Sequence, residues 1–116
     1  MQLGQLIEAL EAAEHKEGLV RWGFSAPHAS RGYYEELAFD PAENVSIASM
    51  LASALSARDA TFEAWKGGTY TMAEHTKCWI EAHGNWDANG ISAQLVNYWM
   101  VETGNAARVS IRSTYP

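Results

Sequence analysis

The chain has 116 residues, a mass of 12.8 kDa and a formal net charge of -6, with a sequence pI near 5.1. That length supports one core, and an apolar fraction of 47% with 11% aromatics describes a folded chain rather than a disordered one. The negative balance argues against general binding to duplex DNA or anionic membrane, although a few converging arginines can still hold a small anion. The single cysteine, Cys78, excludes an internal disulfide and suits a reducing compartment. The first residues, MQLGQLIEALEAAEHKEG, are too acidic and amphipathic for a secretory signal, and no apolar run approaches the ~18 residues of a membrane span. The expectation is a soluble, cytosolic protein.

Residues 2–16 read as a helix, because Leu3, Leu6, Ile7 and Leu10 fall at helical spacing while Gln5, Glu8, Glu11 and Glu14 lie off that stripe. Gly18, just after Lys16, is the expected stop. Leu19 to Ser25 alternates, with Val20, Trp22 and Phe24 on a buried side, and reads as a strand. Residues 26–30 read as a loop that carries the chain to Arg31. From Tyr33 the alternation resumes to Phe39 as a second strand antiparallel to the first, and Asp40-Pro41-Ala42-Glu43-Asn44 is expected to break it.

Ser46 can cap a second helix, Ile47 to Ala57, with Ile47, Met50, Leu51, Ala54 and Leu55 on one stripe. Residues 61–65 and 69–72 read as strands about a Lys66-Gly67-Gly68 turn. Residues 76–83 form a further strand, Cys78 and Ile80 facing one way and Lys77, Trp79 and Glu81 the other. Trp86 then sits in the polar loop of residues 84–90. Residues 91–102 and 107–114 read as a hairpin about Gly104-Asn105 in a type II′ turn. That register sets Asn97 against Arg112, Trp99 against Ser110 and Val101 against Arg108. It turns Val96, Tyr98, Met100, Val109 and Ile111 toward the core. The expected fold is α+β: a mostly hairpin-connected antiparallel β-sheet with two α-helices, in a single domain over residues 1–116.

The histidines His15, His28, His75 and His83 join Cys78 in no HExxH or paired CxxC pattern, so neither a metal nor a cofactor is expected. Cys78 lies within a strand, away from any helix N-terminus that would activate it. Glu35 and Glu36 point to opposite sides of a strand and cannot flank one bond. Lys66-Gly67-Gly68 lacks the GK[ST] and helix of a phosphate loop. Anion binding by arginine is the better lead. Arg31 leaves a loop beside Gly32, which aims a guanidinium from a rigid strand; the competing reading pairs it on the surface with Glu35 or Glu36. Arg108 and Arg112, with Asn97 and Trp99, make a donor-rich strip suited to phosphate and ribose; the competing reading is a solvated face where Arg108 pairs with Glu102. Trp86 in a polar loop suggests a stacking platform or an interface.

RGYYEELAFDPAENV, the ML and SA of the second helix, TFEAWKGGTYTM and CWIEAHG together resemble a family of small phage-encoded proteins over Arg31 to Gly84. This is the first-described Thoeris anti-defence family, "sponges" that sequester a bacterial immune signal. The resemblance implies a non-enzymatic protein that binds cyclic ADP-ribose isomers made by TIR-domain enzymes in the host bacterial cytoplasm. It also implies dimers building to hexamers, and in some members cyclic oligonucleotides at separate sites. The family's arginine at the loop-to-strand position matches Arg31, and its second arginine matches Arg112, with Arg108 as the fallback. From Asn85 onward the chain departs from the family pattern. Trp86 and Asn97, chosen from the loop and the hairpin, are the candidates for the aromatic and the amide between the arginines, and Tyr34 for a wall of the site.

Two other classes stay open at this point. One is an enzyme hydrolysing a cyclic nucleotide, with His28 as general acid or base. The other is a protein–protein inhibitor or phage accessory protein that works through its acidic surface and exposed aromatics.

Overall fold

The computed structural model describes residues 1–29, 37–58, 60–63, 69–71, 76–81 and 89–113; for Ala29, Asn89 and residues 61–63, 69–71 and 107–113 it describes the backbone alone. Helix α1, Leu3–Glu11, buries the expected stripe of Leu3, Leu6, Ile7 and Leu10. The side chain of Gln5 turns back to accept a hydrogen bond from the Gln2 N–H at 3.1 Å. The helix ends at Glu11 rather than Lys16. Lys16 folds back instead, its ammonium donating to the Ala13 carbonyl at 2.9 Å beyond the helix end.

Strands β1, Leu19–Ala29, and β2, Leu37–Ser46, pair antiparallel, but over other residues than expected: Leu19 to Phe24 pair with Pro41 to Ser46, and of the expected second strand, residues 33–39, only Leu37 to Phe39 lie among the described residues. Their register runs from Leu19 opposite Ser46 to Phe24 opposite Pro41, then shifts so that Pro27 faces Phe39 and Ala29 faces Leu37. Ser25 and Ala26 therefore stand against Asp40 alone, a β-bulge inside what the sequence presents as a loop. The Asp40 to Asn44 segment does not break β2. Beyond Phe39 no strand among the described residues pairs with the far edge of β2, so Pro41 withholds no N–H that a described ladder on that side would need. Its turn-forming character survives only at Asn44, which takes φ 51°, a left-handed conformation that asparagine tolerates better than most residues.

Helix α2, Ile47–Ala57, matches its expected limits. Ser46 caps it by accepting from the Ser49 N–H at 3.0 Å, and Ile47, Met50, Ala54 and Ala57 are buried. Gly23 of β1 makes room for this packing, since a Cβ there would lie 2.7 Å from both Met50 Sδ and Val45 Cγ1. Strands β3, Thr61–Glu63, and β4, Thr69–Thr71, form the expected two-stranded antiparallel unit; their turn, Lys66-Gly67-Gly68, lies outside the described residues.

Strand β5, Cys78–Ile80, lies parallel to β2, and β6, Asn89–Gly90, returns antiparallel to β5. The main sheet, in the order β1-β2-β5-β6, is therefore mixed rather than wholly antiparallel. A parallel neighbour requires a long connection, and α2 with the β3–β4 unit supplies it.

The largest departure from expectation is at the C-terminal end. Residues 91–113 do not form a hairpin: helix α3 runs from Ala93 to Ser113, so the described residues hold three helices rather than two. Ser92 starts it by accepting from the Leu95 N–H at 3.1 Å. Val96, Trp99 and Thr103 are buried at helical spacing, and the Trp99 indole Nε1 donates to the Trp22 carbonyl of β1 at 2.9 Å. Thr103 donates its hydroxyl to the Trp99 carbonyl at 3.0 Å, while Tyr98, expected in the core, is 63% exposed. Alternating apolar residues over Val96 to Val101 fit both periods, and contact with β1 selects the helical one.

One apolar cluster joins α1, both long strands, α2, β5 and α3, with Phe24 packed between Phe39 and Trp99 at ring distances of 4.3 and 5.8 Å. The α+β class holds. Among the described residues no helix is long and apolar enough to cross a membrane.

Candidate functional site

The sheet has two faces. Leu37, Phe39, Cys78 and Ile80 point into the apolar cluster, so Ala38, Trp79 and their cross-strand partners occupy the other face. The pairings His28–Ala38, Ala38–Trp79 and Trp79–Gly90 make one row across all four strands. Asp40 and Glu81, two residues on from Ala38 and Trp79, extend it. Gly90 lies against the indole: a Cβ there would be 3.4 Å from Trp79 Cζ3.

The polar members of this face are linked. His28 Nε2 is 2.8 Å from the Glu81 carbonyl oxygen and 3.4 Å from Asp40 Oδ1, and its side chain is 14% exposed. With two oxygen acceptors before it, Nε2 is the protonated nitrogen, donating to the carbonyl. The Glu81 N–H donates to the Phe39 carbonyl at 3.0 Å, so this one residue is held by both β2 and β1. Glu81 is itself only 2% exposed, and the Ser25 hydroxyl donates to the Asp40 carbonyl at 3.4 Å. His28, considered from sequence as an acid or base, has its Nε2 engaged in joining strands.

Cys78 offers no nucleophile. Burial raises its thiol from 9.0 to about 12, with the nearby N-terminal ammonium opposing only part of that rise, and Sγ contacts the Thr76 carbonyl at 3.8 Å. Among the described residues no group of three or more His, Cys, Asp or Glu side chains could hold a metal ion. A cleft of about 600 Å³ between the end of α1 and the middle of α3 is lined by Ala9, Ala13, His15, Met100 and Gly104, among others, with no guanidinium among its described residues.

Of the residues singled out from sequence, Arg31 and Tyr34 lie in 30–36 and Trp86 in 82–88, both outside the described residues. Their chain positions are nonetheless bounded: Arg31 is two residues beyond the end of β1, and Trp86 five beyond Glu81. Asn97 is exposed on α3. Arg108 and Arg112 are in the same helix, one turn apart in backbone position. The cross-strand pair of Asn97 with Arg112 does not exist, because in one helix the two positions are about 22 Å apart along the axis. Trp99 is no part of a donor strip either, being fully buried.

Sequence reasoning missed the His28–Asp40–Glu81 link. Alternation does place Trp79 and Glu81 opposite Cys78, but Asp40 beside Pro41 reads as a strand breaker, which hides its place on the sheet. No family model, curated protein or solved structure matches the chain.

Proposed function

We propose that this chain is a phage anti-defence protein that binds and sequesters cyclic ADP-ribose-type signalling nucleotides without cleaving them. It would thereby block Thoeris immunity in the cytoplasm of the infected bacterium. The observation that carries this reading is the ordered series of motifs from Arg31 to Gly84 that resembles the sponge family. Arg31 and Arg112 grip the phosphates, with Arg108 one turn from Arg112 as a second donor, and Trp86 and Tyr34 supply aromatic walls. Asn97 is left out of the set, since its distance along α3 from Arg112 exceeds the span of one nucleotide. A non-catalytic role is supported by the buried, protonated Cys78 and by the engagement of His28 Nε2. Tyr98 and Val101, both more than half exposed on α3, support contact with a second copy.

Calorimetry with cyclic ADP-ribose isomers, followed by heating to release the ligand, tests the proposal. The expected result is tight binding and recovery of intact ligand. Arg31→Ala should weaken binding about ten- to a hundredfold, the equivalent of roughly 1.5–3 kcal/mol for one charge-assisted grip. Cleaved ligand, or an unchanged affinity in Arg31→Ala, overturns it.

A further inference from the structure

We infer that α3 guards the free edge of β1 against strand addition by a second copy of the chain, and that Glu102 serves this guard rather than stability. The order β1-β2-β5-β6 leaves the main sheet with two outer strands among the described residues. Strand β6, Asn89–Gly90, is too short to template a neighbour. Strand β1 has 11 residues and exposes the side chains of Leu19 and Trp22. A long edge with exposed apolar side chains is where another copy would add its own β1.

Two side chains of α3, three positions apart and so on one side of the helix, reach that edge. Glu102 Oε2 accepts from the Arg21 N–H at 3.0 Å, and Trp99 Nε1 donates to the Trp22 carbonyl at 2.9 Å. One engages a backbone donor and the other a backbone acceptor, the two kinds of group through which an incoming strand would pair. Together they stand in for the missing neighbour.

Glu102 is poorly placed as a stabilising group. Its bond to Arg21 lies at the exposed surface, where water can serve the N–H nearly as well. Its other oxygen, Oε1, is buried with no hydrogen-bond partner among the described residues, which costs stability. What the carboxylate adds is occupancy. Tethered to α3, it holds the Arg21 N–H where a water would be displaced, and it sets negative charge against the carbonyls of an approaching strand.

The test uses the full chain as Glu102→Leu alone, and as Glu102→Leu or Glu102→Gln in a Trp99→Phe background, where a ring still fills the core but the Trp22 carbonyl is released. Urea denaturation of dilute protein reads stability, and sedimentation velocity across the micromolar range reads association. The expected result is an unchanged or higher urea midpoint in Glu102→Leu. The Trp99→Phe/Glu102→Leu variant should associate beyond wild type, with hydrogen exchange at its Arg21 amide slowing roughly tenfold or more as concentration rises. Trp99→Phe/Glu102→Gln, whose amide oxygen still accepts from Arg21, should sediment as wild type does.

A lower midpoint in Glu102→Leu makes the residue a stabilising one and overturns the inference. So does a folded Trp99→Phe/Glu102→Leu that sediments as wild type does, or one that associates without slowing exchange at Arg21. If the double variants do not fold, Glu102→Leu alone decides. Its Arg21 amide must exchange faster than in wild type when dilute and slow with concentration, and a rate independent of concentration overturns the inference.

Discussion

Gly104→Ala distinguishes the C-terminal helix from the hairpin that the same residues suggest, because the two structures predict opposite signs. Within α3, Gly104 is an interior helical position, and a Cβ built there meets no atom of the described residues beyond its own helical turn within 4 Å. The substitution then gains the full helix-propensity difference between glycine and alanine, about 1 kcal/mol, with no steric cost. For a chain of this size that raises the melting temperature by roughly 3–6 °C. In a type II′ hairpin turn the first central residue needs positive φ, and alanine would instead cost more than about 1 kcal/mol. Urea denaturation followed by far-ultraviolet circular dichroism measures the difference directly. A midpoint that moves to lower urea at unchanged slope would refute the helical assignment of residues 93–113.

The docking of α3 can be tested separately through Trp99→Phe, which removes the bond to the Trp22 carbonyl and leaves a small void; a loss of about 1.5–3 kcal/mol is expected, and a loss below about 0.5 would mean that α3 is not anchored on β1. Cys78 makes stability fall in alkali: its folded pKa lies above its ordinary value of 9.0, so the unfolded chain loses the proton first, and stability declines as pH rises from about 9 toward 12. At pH 10 the cost is roughly 1.4 kcal/mol, visible as a steeper decline between pH 8 and 10 than in Cys78→Ala, and identical slopes would contradict it. Ser46→Ala should cost about 1 kcal/mol by leaving the Ser49 N–H uncapped, read as a lower urea midpoint.

How much of the fold can be read from sequence depends on how local its cause is. Helix α2 matches its expected limits, because Ser46 and the stripe from Ile47 to Ala54 act within a few residues of each other. The buried stripe of α1 and the inward turn of Cys78 and Ile80 follow from periodicity in the same way. The functional candidates fare differently. Asn97 and Arg112 were joined by an inferred register, and a register is a long-range property. His28 and Glu81 meet only because two strands pair through a third, 53 positions apart in the chain.

The sequence by itself determined the α+β class, the two N-terminal helical stripes and the β3–β4 unit. Each depends on caps, turns and spacing that compete with nothing nearby. Only the tertiary structure decided that β2 continues through Pro41, that β5 joins it in parallel and that residues 93–113 are helical. At those places the local signals were balanced or opposed, with proline against an open sheet edge and alternation against helical spacing. There, burial of Trp99 against β1 and, among the described residues, the lack of a strand on the side of Pro41 away from β1 set the outcome. The residues proposed for ligand binding follow the same division: the arginines are visible in the chain, but the spacing of Arg108 and Arg112 along one helix, like the bond from His28 to the Glu81 carbonyl, arises only from the fold.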